Sequence, residues 1–219
     1  MQATSTIDKL GYQLPPRPIP AAQMSLQARV DEVFDLLERH GSENYLGEDI
    51  SKCQHAVQCA LIAEGLNQPS HIVLGALLHD IGHHLSGLDP QVPRMVTDGV
   101  DYGTVDHDIV GARYLELLQF PPEITAFVLN HVQAKRYLVA KRPGYREQLS
   151  EASKATLEHQ GGAMSSAEAD QFESLPDHGA YLEMRTWDEA GKDPSVDYTV
   201  ELGRLKQLCM DYLASKSPA

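Results

Sequence analysis

Residues 77–83 read Leu77-Leu78-His79-Asp80-Ile81-Gly82-His83, an apolar run that delivers a histidine and an aspartate side by side just before a glycine. Adjacent helical residues point about 100° apart, so His79 and Asp80 can serve two metal positions, or one metal and a bridging position, from a single turn. His83 returns to the face of His79 one turn later. An ordinary polar helix end would use the same dipeptide, so the neighbours decide. His55 stands among Ala56, Cys59 and Ile62, and His107 opens a stretch carrying Gly111 and Tyr114. His131 follows Ile124, Phe127 and Val128, and Asp188 sits beside the single tryptophan, Trp187. A solitary imidazole or carboxylate is costly in apolar surroundings. Four histidines and two aspartates, each on an apolar helical stretch, point instead to a dinuclear N/O site inside a helical bundle.

Outward from that core the pattern is helical almost throughout. Leu26, Val30, Val33, Phe34 and Leu37 share one face, and Gly41 closes that helix. Further helices are expected over 51–66, 70–82 and 106–118, with another started by Pro121-Pro122 and carrying His131. Helices at 145–158, 166–175 (behind a Ser165-x-x-Glu168 capping box), 178–190 and 197–215 complete the set. No stretch shows sustained strand alternation. Residues 85–105, rich in glycine, proline and aspartate, read as a long loop of lid-like character. The fold class is all-α: one domain over 24–219, preceded by a proline-rich arm at 1–23. His40, His71, His84, His159 and His178 read as surface or capping residues, and Tyr114, Met184 and Trp187 as core.

Composition narrows the partners. The 219 residues carry 18 basic and 31 acidic side chains, a formal charge of −13. That surface argues against nucleic acid and anionic membranes. No run reaches the roughly 18–20 apolar residues of a membrane span. Three cysteines without a CxxC pair, and no visible secretory signal, suit a cytoplasmic protein. An acidic chain binds an anion only through a locally basic pocket.

The set His55, His79-Asp80, His107, His131 and Asp188 resembles the metal signature of the HD-domain superfamily. Tyr45-Leu46-Gly47-Glu48, followed by His55 and Val57-Gln58-Cys59-Ala60, is similar to its PhnZ/TmpB-like branch of mixed-valent di-iron oxygenases, which cleave carbon–phosphorus bonds. The likeness runs from about Leu26 to Leu213. It departs in the 85–105 segment, in the leader, and at Gln54, where an acidic residue is expected. The resemblance implies two iron ions, Fe(II)/Fe(III), held by His55, His79, Asp80, His107, His131 and Asp188, with Asp80 bridging. It implies that Tyr45 and Glu48 guard an open metal position and that Glu48 meets the amine end of the substrate. It implies that His83 acts at the reaction centre and on substrate, and that Lys135, Ser153 and Arg185 bind the phosphonate. Lys135 lies one turn after His131 and Arg185 three residues before Asp188, so each cation shares a face with a candidate ligand.

The resemblance therefore implies an oxygenase that uses O2 to cleave the C–P bond of a 1-hydroxy-2-aminoethylphosphonate-type substrate. The products are inorganic phosphate and glycine, or glycine betaine from the trimethylammonio analogue. Two other readings share the ligands. A metal-dependent phosphohydrolase would use the same His/Asp set to attack a phosphate ester or nucleotide. A ligand-sensing domain without turnover would need the metal alone. Metal identity does not follow from N/O donors, which suit iron, manganese and zinc alike.

Overall fold

The computed structural model describes residue 14 and residues 19–45 and 49–216. Most of the proline-rich arm, and Glu48, therefore lie outside the described residues. Helix α1 (Leu26–His40) starts where the Ser25 side chain accepts from the Ala28 amide, and it buries Val30, Val33, Phe34 and Leu37. Helix α2 (Lys52–Gly65) opens on a reciprocal capping box between Ser51 and Gln54. Gln54 also donates through Nε2 to the carbonyls of Pro194 and Val196. A carboxylate at position 54 could not make those two bonds, which gives the amide there a physical reason.

Helix α3 (Ser70–Leu78) is apolar on every side, and Ile72 through Leu78 are all buried. A helix without a polar face must be covered all round. It packs against α2, α5 (Pro122–Lys141) and α10 (Thr199–Lys216). The remaining helices are α4 (His107–Leu117), α6 (Tyr145–Gln148), α7 (Glu151–His159), α8 (Ser166–Glu173) and α9 (His178–Ala190). Helix α8 begins at the Ser165/Glu168 capping box read from the sequence. The all-α bundle stands, with three local corrections.

First, α3 stops at Leu78; a 3-10 turn (Ile81–Gly87) replaces its expected last turn. The cause is a close crossing. A Cβ on Gly82 would lie 2.0 Å from the His107 carbonyl oxygen, and one on Gly111 would lie 2.9 Å from the Gly82 amide nitrogen. His84, within this turn, is buried rather than on the surface, because the turn packs against α1. Burial, with Lys52 next, pushes its imidazole down to about 3.

Second, the 85–105 segment is not a bare loop. Strands β1 (Arg94–Thr97) and β2 (Val100–Thr104) pair antiparallel around Asp98-Gly99, both with positive φ. Two positive-φ residues in a two-residue loop match the twist of a hairpin. Arg94 grips Asp101 across the pair at 2.9 Å, and Thr97 Oγ1 meets His159 Nε2 of α7 at 2.8 Å. His159 is thus a hairpin contact. Third, the expected 145–158 helix is two, because extended Leu149 and Ser150 break it and the Ser150 hydroxyl caps α7. Tyr145, Leu149 and Leu157 form a small second core against Leu138 and Val139, fixing α7 beside the end of α5.

Gly82→Ala tests the crossing. The obstructing atom is backbone and cannot swing away, so the cost belongs at or above the upper end of the ~1–3 kcal/mol typical of overpacking. Denaturant unfolding checks it; an unchanged midpoint would mean that the two segments separate freely.

Candidate metal centre and anion pocket

The six candidate donors come from five packed elements. His55 sits on α2, His79 and Asp80 at the end of α3, His107 at the start of α4, His131 on α5 and Asp188 on α9. All six are buried. Three of the histidines are oriented from behind by backbone carbonyls. His55 Nδ1 lies 2.9 Å from the Gly191 oxygen, His79 Nδ1 2.8 Å from Ala76, and His131 Nδ1 2.6 Å from Val128. A carbonyl only accepts, so each Nδ1 carries the ring proton and each neutral ring presents a bare Nε2.

Those nitrogens face carboxylates. His79 Nε2 is 3.3 Å from Asp80 Oδ2, while His107 Nε2 and His131 Nε2 are each 3.4 Å from Asp80 Oδ1. His55 Nε2 is 3.3 Å from Asp188 Oδ1. His79 Nε2 has no hydrogen-bond partner among the described residues. A lone pair set against a carboxylate oxygen at these distances repels it, unless a proton or a cation lies between. The donor set therefore fits metal. It divides around Asp80: His107 and His131 on the Oδ1 side, His79 with the nearby His55 and Asp188 on the other. One carboxylate spanning two such groups has the geometry to bridge two ions.

Charge follows the same plan. Burial alone would push the Asp80 carboxyl up, but His79, and then His107 and His131, hold it well below the usual carboxylate range. Burial likewise opposes ionisation of Asp188, and Arg185 and His55 overcome it. For His79 burial works against protonation, yet neighbouring Asp80 raises the ring overall. Both carboxylates are thus ionised and ready to receive cations.

A cavity of about 360 Å³, counting its open mouth, adjoins these donors and is lined by Lys135, Ser153, Thr156 and Arg185 among others. Lys135 is buried, donates to Thr156 Oγ1 at 3.0 Å, and is drawn down to about 7 by burial and by Arg185. Arg185 is more committed than its sequence position suggested. One guanidinium N–H pairs closely with Asp188 Oδ2, Nε reaches the Tyr145 hydroxyl at 3.4 Å, and Glu189 lies 3.5 Å away. It links a candidate ligand to the anion pocket. Ser153, at the start of α7, also lines the cavity.

Sequence reading passed over Thr156 and Gln160, which line the same wall. Gln160 Oε1 is buried without a partner among the described residues. The available signal was spacing: Ser153, Thr156 and Gln160 fall at i, i+3 and i+7 on one helix face.

Tyr45 stacks on His55 at 3.9 Å between ring centroids and donates to Asp188 Oδ1 at 3.2 Å. Burial and Asp188 both push its phenol well up, so it stays protonated. Its expected companion Glu48 lies outside the described residues. His83 stacks on His107 at 3.9 Å and lines the cavity. Burial, reinforced by His107, drives its imidazole well below the usual histidine range, so it is neutral. Tyr114, Met184 and Trp187 are buried in the main core.

Comparison with known proteins identifies the family. The HD domain model matches residues 53–186. The chain is 41% identical over 173 residues to the 1-hydroxy-2-(trimethylamino)ethylphosphonate dioxygenase (glycine-betaine-forming) of Leisingera caerulea, covering 77% of this chain and 82% of that protein. It is 34% identical over 164 residues to the hydroxymethylphosphonate dioxygenase of Gimesia maris, covering 75% and 78% respectively. It is also 34% identical over 188 residues to the uncharacterized protein L432 of Acanthamoeba polyphaga mimivirus, covering 86% and 83%. The chain belongs to the HD-domain family, in the branch that contains these phosphonate dioxygenases.

Proposed function

We propose that this oxygenase binds two irons, as a mixed-valent Fe(II)/Fe(III) pair, and cleaves the C–P bond of a 1-hydroxy-2-aminoethylphosphonate with O2. The observation that carries the reading is one buried carboxylate, Asp80, set between two groups of imidazoles beside a pocket with two buried cations. The trimethylammonio substrate is favoured over the primary amine, because the relative at 41% identity is named for it. Cleavage takes up one O2 and leaves phosphate and a carboxylate, glycine betaine from that substrate. His55, His79, Asp80 and Asp188 would hold one ion, and His107 and His131, with Asp80, the other. The protein acts as one HD-type unit over 24–219, and its three buried free thiols suit a cytoplasmic setting. Among the described residues, no helix is long and apolar enough to cross a membrane.

When bound, the iron pair supplies the electrons that activate dioxygen and a coordination site for the substrate oxygens. The rest falls to the side chains. Lys135, Arg185 and Ser153 hold phosphonate oxygens and neutralise their charge in a buried pocket. Tyr45, stacked on His55 and bonded to Asp188, covers that side of the centre until substrate displaces it; recognition of the ammonium group is the role the family resemblance gives to Glu48. His83, which also lines the cavity, offers a hydrogen bond to the substrate.

Metal analysis and electron paramagnetic resonance of aerobically handled protein should find two irons per chain and a coupled signal that changes on adding the hydroxyphosphonate. His55→Ala and Asp188→Ala should each lose at least one ion, and Asp80→Ala the coupling. Full occupancy in all three would refute the ligand set. Phosphate release should require oxygen; equal anaerobic hydrolysis of phosphate monoesters would make the chain a hydrolase.

Arg185→Ala should raise KM by the roughly 30- to several-thousand-fold that corresponds to losing a buried charge partner, about 2–5 kcal/mol. Arg185→Lys should recover only part, because a point charge cannot replace the planar fork. Unchanged kinetics in Arg185→Ala would remove that side chain from the pocket.

Lys135 gives the pH dependence. Its charged form, the one that pairs with phosphonate, prevails below about 7 and is lost above it. KM should therefore rise as pH increases from 6 to 9. Lys135→Arg, charged throughout, should flatten the profile; an equally steep rise in that variant would assign the dependence to another group.

A further inference from the structure

We infer that the end of the hairpin, Gly103-Thr104, is a positioning element that fixes His83 with its ring proton on Nε2, making it a hydrogen-bond donor to the cavity and not a metal ligand. The assignment rests on the phosphonate reading only for the identity of what that donor meets.

Distance alone would admit His83 to the ligand set. Asp80, His83 and His107 each offer a ligand atom within 4.8 Å of the others, the spacing of a possible third donor on the Asp80 Oδ1 side. The other ring nitrogen decides. The Thr104 backbone amide lies 3.0 Å from His83 Nδ1 and is directed at it. A backbone N–H only donates, so Nδ1 is the bare nitrogen and the proton of the neutral ring sits on Nε2. A protonated nitrogen has no lone pair for a cation. His55, His79 and His131 are the reverse case, with carbonyls at Nδ1 and bare Nε2. Three of the four candidate ligand histidines thus have a backbone oxygen behind the ring, where His83 has an N–H; the fourth, His107, has no partner at Nδ1 among the described residues.

The hairpin is built for that approach. Gly103 has φ +98°, and a Cβ there would lie 2.4 Å from His83 Nδ1 and Cε1. Only glycine lets the strand run against the edge of the ring. On its face the ring is stacked on His107, with 20° between the planes. His83 is therefore held on edge and face while it lines the same cavity as Lys135 and Arg185. A neutral N–H donor suits an anionic oxygen of the bound substrate.

The test is a spectroscopic signature in the full-length protein. Long-range proton–nitrogen correlation spectra of the histidine rings would be recorded metal-free and with Zn²⁺, a diamagnetic substitute, and His83 assigned by comparison with His83→Gln. The expected result is a pyridine-type Nδ1 and a pyrrole-type Nε2 for His83 in both samples, with the zinc content of His83→Gln equal to that of wild type. Gly103→Ala should mix the two tautomers and raise KM for the hydroxyphosphonate on the order of tenfold or more, the loss expected for a hydrogen bond to a charged group. Should that variant not fold, the wild-type and His83→Gln spectra decide alone. A coordination shift of the His83 ring on adding zinc, loss of one zinc per chain in His83→Gln, or a proton on Nδ1 would each overturn the assignment. If the protein turns over no phosphonate yet keeps the His83 signature, the functional reading fails while the tautomer assignment stands.

Discussion

The Asp80 carboxylate set between imidazoles on both of its oxygens is the constraint on which the rest of the molecule depends. In a dry interior such a cluster is unfavourable, since acceptors face acceptors and a carboxylate has lost its water. Several helices must hold it together until cations repay the desolvation. Helices α2, α3, α4, α5 and α9 each contribute one or two of these groups, and backbone carbonyls lock three of the rings from behind. Any loosening of a helix lets acceptors move apart. The metal centre and the bundle are therefore coupled: ions that bind only the assembled site stabilise the fold by mass action.

Around that centre, the buried Ile72–Leu78 stretch of α3 and the glycine crossing at Gly82 and Gly111 supply the precision. The apolar covering of α3 fixes where its end emerges, and the crossing holds His107 against the His79-Asp80 turn. The anion pocket is assembled differently. Its wall is α7, a short amphipathic helix tied down by a satellite core of Tyr145, Leu149 and Leu157 and by the Thr97–His159 contact with the hairpin. A rigid metal core beside a more lightly anchored binding wall suits an enzyme that must admit substrate and retain ions.

The bundle, and the six buried side chains it gathers around Asp80, were legible in the sequence because those side chains break the local rule. Apolar helical periodicity marks the elements, and a histidine or aspartate inside it demands an explanation. What stayed hidden obeys local rules. Thr156 and Gln160 look like the polar face of an ordinary surface helix, and only the position of α7 turns that face inward. The Asp98-Gly99 turn was visible among β-branched residues, yet the density of glycine, proline and aspartate made the hairpin read as loop. The early end of α3 and the burial of His84 follow from a tertiary crossing at Gly82, which periodicity cannot register. At Gln54 the departure from the expected acidic residue became intelligible only once its amide was seen to hold the 194–196 backbone.

The central claim, that one carboxylate bridges two irons, is tested most directly by anomalous diffraction at the iron absorption edge from crystals of protein grown with iron. Two anomalous peaks are expected, one on each side of Asp80, the first among His55, His79 and Asp188 and the second between His107 and His131. A single peak, or two peaks that do not share Asp80, would contradict the account.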